Sequence, residues 1–497
     1  MLSSILIVGG GSAGWITANL LNAFVKRVGL PTRISLLESP DIPTIGVGEA
    51  TVPTIRRTMA QIGISEQDLM VSAEATFKSL IRFVDWNLGE SYDHPFDRRL
   101  RPQTDAAVRQ WSADNEKAFD ETFSVLTKIS NENFAPKSPQ TPQYIANFPY
   151  AYHLDAIKMA ARLAEFGREN GIVHHLANVR HVHVSAGGQI ENIETDTEET
   201  LNAELYIDCT GFRSVLLGGA LNVPVKDYGK YLLCDRAVTM RVPYDLHTPE
   251  RLLPYTKATA RDFGWQWDIN LQTRRGLGYV YSSKFLSDDD AEAALRRYEG
   301  PHTKDLTAAR IRFASTKREA SWKGNCVAIG LSDGFLEPLE SSGLYMIEFA
   351  AQMLGTMLTD YQAAPDATRR NFNRNMSDLY EEVLEFINLH YVTSSRCDTP
   401  FWRAATSEEA VWDGLKDKLE VWRQRSPSEM DFHGSLRLFA LDSFEFVLHG
   451  MKYVRSVERG NATLPDHNDV VAQCRQKLPS HETFIKLLEA AANRHSN

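Results

Sequence analysis

"ILIVGGGSAGWITANLLNAFVKR", residues 5–27, decides the fold. Four apolar residues lead into a glycine-rich turn, and the apolar positions beyond it recur at helical spacing. "TRISLLES" follows as a second strand reaching Glu38, so the first forty residues read as a β-α-β unit. Within the turn, Gly9, Gly11 and Gly14 make the G-x-G-x-x-G pattern. Its first glycine permits the tight turn, its second lets a pyrophosphate reach the backbone, and its third lets helix pack on strand. Ser12 and Ala13 open the helix, whose unpaired N–H groups face the phosphates. Glu38 lies 24 residues beyond Gly14, near the spacing for a carboxylate on ribose hydroxyls. An acidic residue there suits a free 2′-OH, which favours FAD or NAD over NADP.

Working outward, "IGVGEATVP" (45–53) adds Gly46 and Gly48 just beyond Glu38, with Ala50 beside them. Such glycines suit close backbone approach to a flat ring system. "DCTGF" (208–212) and "AIGLSDGFLEP" (328–338) resemble the further strand-turn segments that surround FAD in flavoproteins. A pure NAD dehydrogenase has no need of them, so FAD is the expected cofactor.

The chain of 497 residues, 43% hydrophobic and 24% charged, has the composition of an ordinary globular protein. Its formal charge of −10 argues against nucleic acid as a partner, since phosphate binding needs a concentrated basic face. No run of about 18 apolar residues spans a membrane, and "MLSSILIV" lacks the basic start of a signal peptide. Five widely spaced cysteines show neither metal-ligand spacing nor a disulfide framework, so no metal is expected and the cytoplasm is the expected compartment. Strands and helices alternate early and helices dominate late, predicting an α/β core on residues 1–390 with a helical, substrate-covering region on 391–497. Along the way "NLGESYDHPFDRRLRPQ" reads as a polar loop and residues 131–149 as a long ordered loop or lid. "YHLDAIKMAARLAEFGRENG" reads as a helix with Asp155 as N-cap and Gly171 as its stop.

"FKSLIRFVDW" (77–86) places Lys78 in an otherwise apolar strand. By position alone such a lysine belongs at the surface, because buried lysines are rare unless paired. The motifs "GGGSAGW", "GVGEAT", "FKSLIRFVDW", "GWQWDINL" and "GFLEPLESSG", in this order across residues 9–343, resemble the flavin-dependent halogenases of the tryptophan halogenase type. The resemblance implies a flavin-monooxygenase-type, Rossmann-like core with an inserted β-sheet. It also implies that reduced FAD, oxygen and a chloride or bromide ion yield hypohalous acid, which meets an internal lysine beside an aromatic substrate. That lysine is Lys78, held indoors. The family's catalytic carboxylate falls on Glu340 in "EPLESSG", with Glu337 as its competitor and a helix-capping role as the plain alternative for Glu340. A carboxylate there stabilises the cationic intermediate of aromatic substitution and accepts its proton. The family's halide lies on backbone N–H groups that correspond to Ser342 and Gly343. One departure is Asn270, where the W-x-W-x-I-P signature normally ends in proline, which would fix φ and remove a donor.

"DHPFD" offers His94 and Phe96 for the family's indole-sandwiching pair. The tyrosine pair and Phe-Trp pair that grip free tryptophan are absent from "FHGSLRLFALDSFEFVLHGMKY", so an indole or similar arene without the amino-acid handle is expected. No second dinucleotide fingerprint serves NADH, so a separate flavin reductase is the expected partner; a homodimer is left open. Two other readings stand beside this one. A flavin aromatic hydroxylase shares the glycine turn but has no use for an internal Lys78–Glu340 pair. A non-catalytic FAD-binding module leaves both residues idle.

Overall fold

The computed structural model describes residues 2–43, 46, 48–98, 103–114, 117–244, 252–433, 438–455 and 462–495. Ile45 and Val47 of the second glycine motif, residues 99–102 of the polar loop and residues 434–437 of the C-terminal region lie outside them. The chain forms two compact units from interleaved segments: Met1–Glu74, Leu154–Tyr228 and Phe313–Glu381 in one, Ala75–His153, Gly229–Arg312 and Glu382–Asn497 in the other.

The first unit is the expected Rossmann-like core. Its six-stranded sheet runs in the order Trp322–Lys323, Cys326–Ala328, Leu205–Asp208, Ser4–Val8, Arg33–Glu38, Val173–Leu176. All neighbours are parallel except the first pair. Ile5–Val8 is buried throughout, as a parallel strand covered on both faces must be. The helices Ala156–Glu169 and Ser342–Ala363 pack against Ser12–Val28. A three-stranded antiparallel sheet spanning residues 179–201 shares a buried apolar cluster with Leu6, Val8, Tyr206 and Cys326. Asp155 caps its helix by accepting from the N–H groups of Ile157 and Lys158, and Gly171 follows the helix at φ +88°. The preceding "AYHL" is a strand, Ala151–Leu154, and not the first turn of that helix.

The second unit is built on a seven-stranded sheet whose strands span residues 308–312, 236–243, 274–281, 264–270, 255–261, 80–84 and 91–95 in spatial order. It is antiparallel except between 255–261 and 80–84. The reading of residues 87–103 as a loop is corrected here: Ser91–Pro95 pairs with Leu80–Val84. The reason is tertiary, since Tyr92 stacks on Phe83 of the neighbouring strand and both Tyr92 and His94 bury themselves among His390, Phe386 and Phe439, which lie far away in sequence. Of the loop expected over 131–149, Asn131 ends the helix Val125–Asn131, and the rest carries no strand or helix beyond one bridge at Phe134. Helices dominate the described residues after 400, including Pro400–Ala405, Leu441–Gly450 and His481–His495.

Candidate functional site

In the first unit, the turn after Ser4–Val8 leaves room that only glycine can leave. Gly9 sits at φ +116°, and a Cβ there would lie 2.2 Å from the carbonyl oxygen of Cys209. A Cβ on Gly14 would lie 1.8 Å from the Gly9 oxygen. Gly11 is the helix N-cap in extended conformation, and no side chain caps the helix or adds an acid to its first turn. The N–H groups around Ser12 and Ala13 therefore stay open to an anion.

The Glu38 carboxylate lies over this turn, with its Cδ 2.0 Å from where a Gly10 Cβ would stand. It is held by His174, whose Nε2 donates to it at 2.9 Å. His174 Nδ1 faces Arg168 at 3.4 Å, and because a guanidinium only donates, the ring proton sits on Nε2. The remote glycine segments meet at the same sheet end. Val8 is in register with Asp208, and Asp208 with Ala328. The Asp208 carboxylate accepts from Thr210, Leu216 and Leu217, and so holds its own turn. Gly330, at φ +78°, comes so near Ala13 that a Cβ would stand 2.9 Å from the alanine's. A crevice at the carboxyl ends of parallel strands, lined by backbone that excludes Cβ atoms, fits a dinucleotide such as FAD. Gly48 (φ +100°) and Ala50 belong to the same unit.

Glu340 closes a 3₁₀ turn, Pro338–Glu340, and is 2% exposed; Glu337 is fully buried. Ser341, at φ +59°, is the N-cap of the 22-residue helix that Ser342 and Gly343 begin. A Cβ on Gly343 would meet nothing within 4 Å, so there is open space beside this helix start. That helix start has no acidic residue and suits an anion. Glu348 on the same helix accepts from Thr58 at 2.5 Å, and burial pushes its pKa up to about 8.

In the second unit, Lys78 is fully buried, so the surface reading of this lysine is set aside. Its Nζ stands 5.2 Å from the centre of the Phe96 ring, which brings together two of the expected site residues. His94 is buried against Phe386 and Phe439 and lies in a strand.

Lys78 ends the short strand Thr76–Lys78, which pairs antiparallel with Ala151–Leu154. Thr76 donates to the Asn270 carbonyl, which fixes the direction of the bonds behind it. His153 Nδ1 then donates to Thr76 at 3.4 Å, and Nε2 accepts from Thr256 at 2.9 Å. His153 is thus held neutral, and burial followed by the nearby Lys78 charge moves its pKa well below the usual histidine range. Proline at 270 would keep this carbonyl, so Asn270 leaves the contact intact. Trp265 and Trp267 are packed in the sheet, and a Cβ on Gly278 would collide with the Trp267 ring. Sequence reasoning missed His153, Glu348 and His481; no motif marks them, because each is defined by partners far along the chain.

Among the described residues no helix is long and apolar enough to cross a membrane, and no group of three or more His, Cys, Asp or Glu is placed to hold a metal. Residues 4–466 match the family described as tryptophan halogenase. The tryptophan 6-halogenase SttH of Streptomyces toxytricini is 35% identical over 86% of each chain. A solved tryptophan halogenase from Shewanella frigidimarina superposes with a TM-score of 0.90 at 34% identity, covering 98% of this chain and 97% of its own. BrvH, a flavin-dependent halogenase from Brevundimonas sp. BAL3, superposes with a TM-score of 0.84 at 31% identity, over 98% and 99%.

Proposed function

Because the chain belongs to the tryptophan halogenase family and is a flavin-dependent halogenase, we propose that it halogenates an electron-rich, indole-type arene through Lys78. The observation that carries this reading is the full burial of Lys78 beside the Phe96 ring. Burying an amine is costly, and a lysine kept inside beside an aromatic ring fits a chemical role.

Gly9, Gly11, Ser12, Ala13 and Gly14 hold the FAD phosphates, Glu38 the ribose, and Gly48 and Ala50 approach the ring. Bound as FADH2, the flavin supplies with oxygen the two-electron oxidation of chloride or bromide. The N–H groups of Ser342 and Gly343 hold the halide. Lys78 hydrogen-bonds or covalently carries the electrophilic halogen, and His94 and Phe96 orient the arene. As the carbon–halogen bond forms, the ring becomes cationic; Glu340 stabilises it and accepts the departing ring proton, which restores aromaticity. A separate flavin reductase supplies the FADH2, the reaction takes place in the cytoplasm, and the helical region 391–497 covers the substrate.

The substrate carries no obligatory amino-acid handle. Residues 432–453 contain no tyrosine pair, and Phe439, Leu441, Phe444 and Phe446 are buried there. The test is mass spectrometry of an indole panel, tryptophan included, with a flavin reductase, chloride and bromide. A halogen isotope doublet on indole exceeding that on tryptophan is expected. Hydroxylated product with no halogen sinks the reading, and a strong preference for free tryptophan overturns its substrate half.

A further inference from the structure

We propose that His481 is a positioning residue, its neutral ring standing in for a missing neighbouring strand and so setting where Lys78 is held. This rests on the reading of Lys78 as the residue that handles the halogen.

The strand carrying Lys78 has only three residues, and its ladder partner, Ala151–Leu154, lies on one side. The Phe77 N–H, one residue before Lys78, donates to His481 Nε2 at 2.9 Å. A buried backbone donor needs such a partner. On the other side of the ring, His481 Nδ1 donates to the carbonyl of Leu252 at 2.7 Å. A backbone amide only donates and a carbonyl only accepts, so a single tautomer, Nδ1–H, satisfies both. The ring is fully buried, and burial pushes its pKa down to about 4, in keeping with this neutral form. Its centre lies 5.7 Å from that of the Phe77 ring, tilted to it by 31°, and Phe484, one helical turn on, packs edge-on against Phe77 with centres 4.8 Å apart.

His481 is itself anchored. Its N–H donates to the Asn133 carbonyl, and Ala135 N–H donates to the Pro479 carbonyl. The C-terminal helix thus reaches the Lys78 strand through the His481 imidazole, with Phe484 packed beside it, and the long loop after residue 131 holds that helix start in place. An error of position at a reacting group lowers turnover without weakening substrate binding in proportion.

The experiment uses the full-length FAD-loaded enzyme with a flavin reductase, bromide and indole. His481→Phe keeps the ring and removes both hydrogen bonds; His481→Gln offers an acceptor and a donor again. His481→Phe is expected to lower kcat for bromination about 10-fold or more, with the KM for indole, FAD affinity and oxygen consumption nearly unchanged. His481→Gln recovers most of the loss. Amide exchange at Phe77, which needs no turnover, rises at least about 10-fold in His481→Phe and not in His481→Gln. In a Lys78→Ala background, His481→Phe causes no further loss, because both act through one group.

Wild-type kcat in His481→Phe, unchanged Phe77 exchange, or equal damage from Phe and Gln overturns the inference. A Lys78→Ala enzyme that brominates normally overturns instead the reading of Lys78. Should His481→Phe fail to fold, His481→Asn, too short to span both groups, is measured against His481→Gln by the same criteria.

Discussion

The two units build their sites by opposite means. The glycine-turn unit makes the centre of its cradle from consecutive residues, one strand, one turn and one helix, with backbone atoms as the working groups and the segments at Glu38, Asp208 and Gly330 closing on it. The unit holding Lys78 makes its site from side chains carried by separate segments. Residues 76, 96, 153, 256, 270 and 481 all take part. The first kind of site tolerates change everywhere except where a Cβ would intrude. The second depends on each partner satisfying another's hydrogen bond, because an unsatisfied buried polar group costs about 1–3 kcal/mol.

That contrast is sharpest in the substitution with the largest expected effect. Gly11→Val should abolish flavin retention, and with it all turnover, while circular dichroism stays native. Normal FAD binding in this variant would place the dinucleotide elsewhere and remove one side of the comparison.

Lys78→Ala should separate the units functionally. FAD binding and oxygen consumption stay near wild type, while halogenated product falls by roughly 100-fold or more. Glu340→Gln also uncouples oxygen use from product, by a smaller factor of about 10, since it alters the fate of the ring cation and not the supply of halogen. Product and oxygen measured in the same reaction decide both; wild-type coupling in Lys78→Ala would return this lysine to a packing role.

The smallest effect concerns stability. Glu348 is a carboxyl whose folded pKa, about 8, stands above its ordinary value of 4.5. The folded state therefore binds its proton more tightly, and the stability this brings is present below about pH 4.5 and lost as pH rises toward 8. Glu348→Gln keeps an acceptor for Thr58 and removes the ionisation. Its Tm should exceed wild type by about 3 °C at pH 8 and match it at pH 4.5. Equal melting curves at both pH values would show that the carboxyl is hydrated and outside the packed core.

What the sequence by itself determined is the part written in local order. The run from Ile5 to Arg27 specifies strand, turn and helix, because apolar spacing and glycine placement act over a few residues. Glu38 follows from the same segment, and the ordered motifs around Lys78 and Glu340 named the family whose model spans residues 4–466. Only the tertiary structure decided the environments. "SYDHP" reads as loop by composition, yet it is a strand, since aromatic residues that bury Tyr92 and His94 come from the distant positions 386, 390 and 439. Likewise Asp155 was legible as a cap, while the strand just before it was not, because strand pairing at Ala151–Leu154 is a contact with Thr76–Lys78. His153 and His481 carry no local signature at all. Their neutral state and their hold on the Lys78 strand arise from burial and from partners far along the chain, the Thr76 and Thr256 hydroxyls for His153 and the Phe77 N–H and Leu252 carbonyl for His481. Propensity and periodicity act between neighbours along the chain, whereas desolvation and hydrogen-bond satisfaction exist only once distant segments have closed around a side chain.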